Sequence, residues 1–142
     1  MGVLNQILET ELAGVINYSH YSMMVFGYSR IPIVKWMKDQ AAESMEHAYE
    51  AGELITHFGE HPSLGIGELT ETHKHDIGDI LREALYHERK ALKYYYDLLE
   101  LVKDEHVMLE EYARKMIEQE ERHIGEVDKM LRKPGDVARF QG

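Results

Sequence analysis

Five polar residues interrupt stretches that otherwise carry apolar side chains at helical spacing. They are three glutamates and two histidines: Glu11, His47, Glu88, Glu120 and His123. In "MIEQEERHIGEV", Glu120 stands three residues before His123, which places both side chains on one helix face. Carboxylate oxygens together with imidazole nitrogens suit iron, manganese or zinc. Because buried carboxylates cost free energy unless a positive charge compensates them, the pattern predicts a metal site.

A second stretch, "AAESMEHAYE", resembles an incomplete copy of the first. It has His47, but Ser44 holds the position three residues earlier, where the other copy has Glu120. A neutral hydroxyl is a poor ligand for iron, so the sequence predicts an asymmetric site with one metal held well. The second metal is then held weakly by His47, with help from water or from Glu43. Glu43 stands four residues before His47 and so lies on nearly the same helix face as that histidine. The alternative is that Glu43 is a solvated surface acid and the second metal does not bind.

The composition limits the function classes. The chain has 142 residues, no cysteine and a formal net charge of −10. Such an acidic chain is not expected to bind nucleic acid or an anionic membrane, and thiolate metal sites are excluded. With no apolar run of about 20 residues and no signal-peptide pattern, the sequence predicts a cytoplasmic location.

Prolines and glycines divide the chain into four long segments with helical periodicity. These predicted helices span about 3–28, 33–58, 77–102 and 107–132. The first two and the last two are joined by short turns, whereas "GEHPSLGIGELTETHKHD" is a long link. The sequence therefore predicts one all-α domain over 1–142, a four-helix bundle at about 3–132 with a long crossover between the second and third helices. A short tail, 133–142, is expected to be an extra helix or disordered.

Three segments resemble bacterioferritin. "LNQILETELAGVINYSHY" is similar to its first helix, "SMEHA" to part of its second and "EEYARKMIEQEERHIGEVDKML" to its fourth. The resemblance covers roughly residues 3–131 and implies a ferritin-like fold with a di-iron site. It also implies oxidation of Fe(II) by oxygen or peroxide, and assembly into a hollow twenty-four-subunit shell that stores ferric mineral. The expected state is thus a homo-oligomer, either a dimer or this shell.

The resemblance also implies roles for individual residues. Glu11 and Glu88 match the two single glutamates of the family. Glu120 matches a bridging acid, and Ser44 takes the place of the second bridge. The two histidines complete the ligand set, one on each side.

Other residues have two open interpretations. Tyr18 and Tyr95 either hydrogen-bond the ligand glutamates or are plain core aromatics. Met45 stands where the family places a methionine that binds haem between subunits, although a helical methionine commonly serves packing. Four further histidines are expected to be solvated loop residues, or alternatively to guide iron entry: His57, His61, His73 and His75.

Three functions fit these features. The first is an iron-oxidising, iron-storing ferritin-like protein. The second is a di-metal oxidase or peroxide-reducing enzyme that does not store iron. The third is a haem-binding or structural bundle whose di-iron site is impaired.

Overall fold

Four α-helices and their connections make up the computed structural model, which describes residues 2–140. The helices are α1 (Gly2–Met24), α2 (Arg30–His57), α3 (Ile77–Val102) and α4 (Val107–Leu131). No strand occurs in this described part of the chain, which confirms the predicted all-α class. The chain divides into two compact units, Met1–Asp76 and Ile77–Gly142. Each unit is a pair of helices, and the prediction of one domain over the whole chain stays a prediction.

Two predicted helix ends were wrong by several residues. The first helix ends at Met24 rather than near residue 28, and Gly27 follows with φ +100°. This left-handed conformation suits a glycine, which turns the chain towards the second helix. That helix begins at Arg30, so Pro32 lies inside its first turn. Proline is tolerated there because the first turn of a helix has backbone N–H groups without helical partners.

The core of the first unit is built from aliphatic and aromatic side chains of α1 and α2. Tyr18 is fully buried, and its ring stands edge-on to Tyr21 and Trp36, with centroids 6.0 and 6.1 Å away. Edge-to-face aromatic pairs are worth about 0.5–1.5 kcal/mol beyond the area that they bury. This aromatic cluster therefore contributes strongly to the α1–α2 pair that carries Glu11 and His47.

The long crossover between α2 and α3 runs along α1 in the same direction as that helix. The amide of Ser63 donates to Asn5 Oδ1 (2.7 Å), and further along the amide of Thr70 donates to Asn17 Oδ1 (3.3 Å). Between them, the amide of Gly67 donates to the carbonyl of Glu9 (2.9 Å). The predicted crossover is confirmed, and these bonds fasten it to one helix.

Glu71 ends this fastened stretch. Its carboxylate contacts His20 Nε2 at 2.6 Å and His75 Nε2 at 3.2 Å, and it accepts a hydrogen bond from the amide of His73. The bond from the His73 amide, with help from the two imidazoles, lowers the pKa of Glu71 to about 2. The side chain is therefore an anion at neutral pH.

Gly67 marks the closest approach of the crossover to α1. A methyl group there would lie 3.1 Å from the carbonyl oxygen of Glu9 and 3.2 Å from Thr10 Cα, and both are backbone atoms that move little. We expect Gly67→Ala to lower the free energy of unfolding by about 1–3 kcal/mol, the usual cost of overpacking. Urea unfolding measures it. The control is Gly65→Ala, because the three atoms nearest to its methyl would belong to side chains, which can move. An equal loss in both variants would contradict this explanation.

The second unit is the α3–α4 pair, joined by a short turn. His106 caps α4, because its Nδ1 accepts a hydrogen bond from the amide of Leu109 (3.3 Å). Fully buried side chains such as Tyr95 and Met116 fill the interior. The edge-on contact of Tyr95 with Tyr112, at 6.2 Å between centroids, adds to this packing.

The C-terminal tail is neither the predicted extra helix nor detached from α4. Up to Phe140 it is irregular, and its last two residues lie outside the described part. Asp128 accepts hydrogen bonds from Arg132 Nε (2.7 Å) and from the amide of Phe140 (3.4 Å). The contact with Arg132 holds the pKa of the Asp128 carboxyl below its usual range.

Within residues 2–140, none of the four helices has the length and apolar character of a membrane span.

Candidate metal centre

The first unit brings Glu11 of α1 and His47 of α2 together. Both are buried, with 3% and 8% of their surface exposed, and Glu11 Oε2 lies 3.1 Å from His47 Nδ1. Two ligands with bonds of about 2.1 Å that meet an ion at a right angle are about 3.0 Å apart. The same distance is also a hydrogen bond, so this pair is suited to holding either a proton or a metal ion.

Glu43 approaches the other nitrogen of the same imidazole. Its Oε1 lies 3.7 Å from His47 Nε2, and nearly half of its side chain is exposed. This distance is too long for a hydrogen bond, so the carboxylate acts on the imidazole only as a nearby negative charge. Ser44 is buried, and Glu46 is exposed. The first unit therefore offers one buried carboxylate, one imidazole and a partly exposed acid behind that imidazole.

The second unit brings Glu88 of α3 and His123 of α4 together. Glu88 Oε1 lies 3.9 Å from His123 Nε2, which is too long for a hydrogen bond but within the span of two ligands on one ion. Glu120 is buried, with 3% of its surface exposed. No lysine or arginine is buried anywhere within residues 2–140. No buried lysine or arginine of the described chain therefore balances these two carboxylates, a setting that suits a cation.

Two further titratable residues of α3 are buried, although the predicted apolar stripes did not include them. Glu83 and His87 stand four residues apart, one position away from the stripe that contains Glu88. Burial lowers the pKa of His87, although the neighbouring Glu88 carboxylate opposes this shift. His87 is thus a neutral imidazole at pH 7. The sequence could have predicted their burial, because positions 80, 83, 87 and 91 also have the spacing of one helix face.

The remaining predicted site residues differ in burial. Tyr18 and Tyr95 are completely buried, as either interpretation requires. Met45 is half-buried on α2. His57, His61 and His73 are exposed, as expected, whereas His75 is only partly exposed and lies against Glu71.

The chain belongs to the ferritin-like family, because the sequence model described as Ferritin-like domain matches residues 2–135. One similar solved structure is a ferritin-like, diiron-carboxylate protein from Bacillus anthracis str. Ames. It is 23% identical, with 92% of this chain and 94% of that chain covered at a TM-score of 0.86. Another is the bacterioferritin-related dodecameric thioferritin of Bacteroides fragilis, at 19% identity, 91% and 82% coverage and a TM-score of 0.81. No curated protein matches the chain. The predicted ferritin-like four-helix bundle is therefore confirmed.

Proposed function

We propose that this protein binds Fe(II) at a di-metal site and oxidises it, and that it stores or detoxifies iron. The observation that carries the proposal is the 3.1 Å approach of two buried side chains, Glu11 and His47, at mid-helix positions. Membership of the ferritin-like family supports iron as the cation. The Bacillus anthracis protein, which shares the fold, is described as diiron-carboxylate.

The proposed centre takes its ligands from all four helices, as the resemblance to bacterioferritin implies. Its proposed ligands are Glu11, His47, Glu88, Glu120 and His123. All five residues lie within the region that the ferritin-like family model matches. Three carboxylates supply negative charge and two imidazoles supply nitrogen ligand atoms, a combination that favours bound cations.

The ligands also favour the oxidised product. Each Fe(II) gives up one electron to oxygen or peroxide and becomes Fe(III). Anionic carboxylate oxygens stabilise the ion of higher charge more strongly than the ion of lower charge, because the electrostatic attraction grows with charge. Glu43 Oε1 lies 3.7 Å from His47 Nε2, beyond hydrogen-bond distance, and we propose that it closes this gap and helps to hold the second metal when that metal binds.

We further propose that the protein is a homo-oligomer. Several large apolar side chains around the α1–α2 turn are exposed in the single chain, among them Phe26, Tyr28 and Ile31. Exposed apolar patches of this kind mark contact surfaces. The thioferritin of similar fold is a dodecamer. Light scattering after size exclusion separates a dimer, a dodecamer and a twenty-four-subunit shell by mass.

An anaerobic Fe(II) titration followed by exposure to oxygen or peroxide tests the proposed function. We expect up to two Fe(II) bound per chain, followed by a ferric absorbance band after the oxidant is added. Iron taken up well beyond two per chain indicates storage, whereas a limit of two indicates a di-metal oxidase. Absence of Fe(II) binding at micromolar concentration would refute the proposal.

Haem binding at Met45 stays a prediction, which a haem absorption spectrum would check.

Ser44 and Glu43 determine how well the second metal is held. We expect Ser44→Glu to raise the affinity for the second metal or to speed oxidation, because it restores the missing carboxylate. Ser44→Gln should do neither, because glutamine has the size of glutamate but lacks its charge. Glu43→Gln should weaken the second metal by about 10-fold, the usual cost of losing a partner that orients a ligand.

Fe(II) binding isotherms measure both effects. Glu46→Gln is the matched control for Glu43, since it removes an exposed acid three residues further along α2. If Glu43→Gln binds two Fe(II) with the affinity of the wild type, Glu43 is only a surface acid. If Ser44→Glu and Ser44→Gln behave alike, position 44 is not the place of a missing bridging carboxylate.

A further inference from the structure

A second group of metal-ligating side chains lies where the crossover meets α1. It consists of His20 of α1 with Glu71 and His75 of the crossover, and each offers a ligand atom within 4.8 Å of the others. His20 Nε2 is 2.6 Å from Glu71 Oε2, while His75 Nε2 is 3.2 and 3.3 Å from the two carboxylate oxygens. All three side chains are partly exposed.

We propose that His20, Glu71 and His75 form a second, solvent-accessible binding site for a divalent transition-metal ion of the zinc and iron class. This site is separate from the proposed di-metal centre and uses none of its ligands. Two imidazoles and one carboxylate suit zinc, iron and copper, whereas magnesium and calcium take oxygen ligands. Three protein ligands leave at least one coordination position for water.

The distances fit such an ion with small adjustments. Ligands with bonds of about 2.0–2.1 Å around a tetrahedral ion lie about 3.3 Å apart. The contacts between His75 and Glu71 already have this spacing. The contact between His20 and Glu71 has to open by about 0.7 Å, which a modest rotation of two partly exposed side chains provides.

Both histidines direct Nε2 at the same carboxylate. With no metal, each Nε2 has to carry a proton to make a favourable contact with Glu71. An ion at the centre replaces these protons and satisfies both imidazoles and the anion at once.

The position of the site also gives metal binding a structural effect. His20 belongs to α1, and its partner Glu71 is 51 residues away in sequence. An ion bound to both fixes the end of the crossover on the helix that carries Glu11. A ligand that binds only the folded arrangement stabilises it, so the metal raises the midpoint of thermal unfolding.

Titration with Zn²⁺ alone tests the proposal. The wild type and the variants His20→Ala, Glu71→Gln and His75→Ala are compared by calorimetry at pH 7.5. We expect each variant to bind one equivalent of Zn²⁺ fewer per chain, or to bind that equivalent at least about 10-fold more weakly. The rise in melting temperature that Zn²⁺ produces in the wild type should be smaller in each variant.

His61→Ala is the matched control, because His61 is an exposed histidine of the same crossover. Unchanged Zn²⁺ stoichiometry and affinity in all three variants would overturn the proposal, and so would an equal loss in His61→Ala. Circular dichroism of the metal-free variants checks folding. Should His20→Ala unfold, Glu71→Gln, which retains the shape of the side chain, still decides the question.

The location of the ion gives an independent check. In crystals soaked with Zn²⁺, we expect anomalous density about 2.0–2.1 Å from the Nε2 atoms of His20 and His75. Zn²⁺ found only near Glu11 and His47 would refute the second site while supporting the first. Zn²⁺ found only at His20 and His75 would support the second site and count against the proposed di-metal centre.

Discussion

Replacing Glu120 with glutamine is expected to weaken Fe(II) binding by at least about 100-fold, more than the loss of an outer-shell partner costs. Glu120 is buried and belongs to the only Glu-x-x-His pair among the five proposed ligands. Glutamine keeps the volume and removes the charge. An anaerobic Fe(II) titration measures the loss, and Fe(II) oxidation should slow with it.

The same Glu120→Gln variant should lose Fe(II) affinity without losing stability. Burying a carboxylate costs free energy, and its removal commonly leaves a protein as stable or more stable. We therefore expect the metal-free Glu120→Gln variant to have a free energy of unfolding that is unchanged or about 1 kcal/mol higher. Glu126→Gln, an exposed acid on the same helix, is the control. Fe(II) affinity within about twofold of the wild type would exclude Glu120 as a ligand, since the loss of a single ligand should exceed 1 kcal/mol.

Among the proposed substitutions, truncation of Tyr18 is expected to lower the free energy of unfolding most. Its ring is fully buried and packs edge-on against Tyr21 and Trp36. Tyr18→Ala should lower the free energy of unfolding by about 3–5 kcal/mol, as aromatic-to-alanine changes in a core do. Tyr18→Phe should cost only about 1 kcal/mol, because it keeps the ring and loses one hydroxyl. Urea unfolding distinguishes these values.

The same variants separate the two interpretations of this tyrosine. If its hydroxyl supports a ligand glutamate, Tyr18→Phe lowers Fe(II) affinity by about 10-fold or more. If it is plain packing, affinity is unchanged although stability falls. Tyr49→Ala on α2 is the control, because Tyr49 is exposed and its loss should change stability by less than about 0.5 kcal/mol. A loss in Tyr49→Ala as large as in Tyr18→Ala would contradict the packing argument.

Periodicity was sufficient to predict the helices but not their ends. The apolar stripes and the long polar link predicted four helices and the crossover. The end of α1 at Met24 depends on the positive φ of Gly27, a feature of the turn that the apolar stripe does not encode. Pro32 also misled the prediction for α2, because a proline fits the first helical turn as well as the position before it.

The site was predictable only where charge breaks a regular pattern. Glu11 and His47 stood out as polar residues on apolar stripes, and they are in contact. Glu83 and His87 were overlooked because a broad buried face of α3 accommodates two overlapping stripes. The group formed by His20, Glu71 and His75 could not be predicted, because an irregular segment has no period from which its path along α1 can be inferred.

The fastening of the crossover to α1 has a consequence for the order of folding. Its contacts join residues 49 to 58 positions apart in sequence, such as Tyr21 with Thr70 and Asn5 with Ser63. Closing loops of this length costs chain entropy before any contact rewards it. The contacts at the α1–α2 turn, such as that between Tyr18 and Trp36, join residues much closer in sequence. The crossover is therefore expected to settle on a helical pair that has already formed, so that the nucleus of this unit lies at the turn and the crossover docks late.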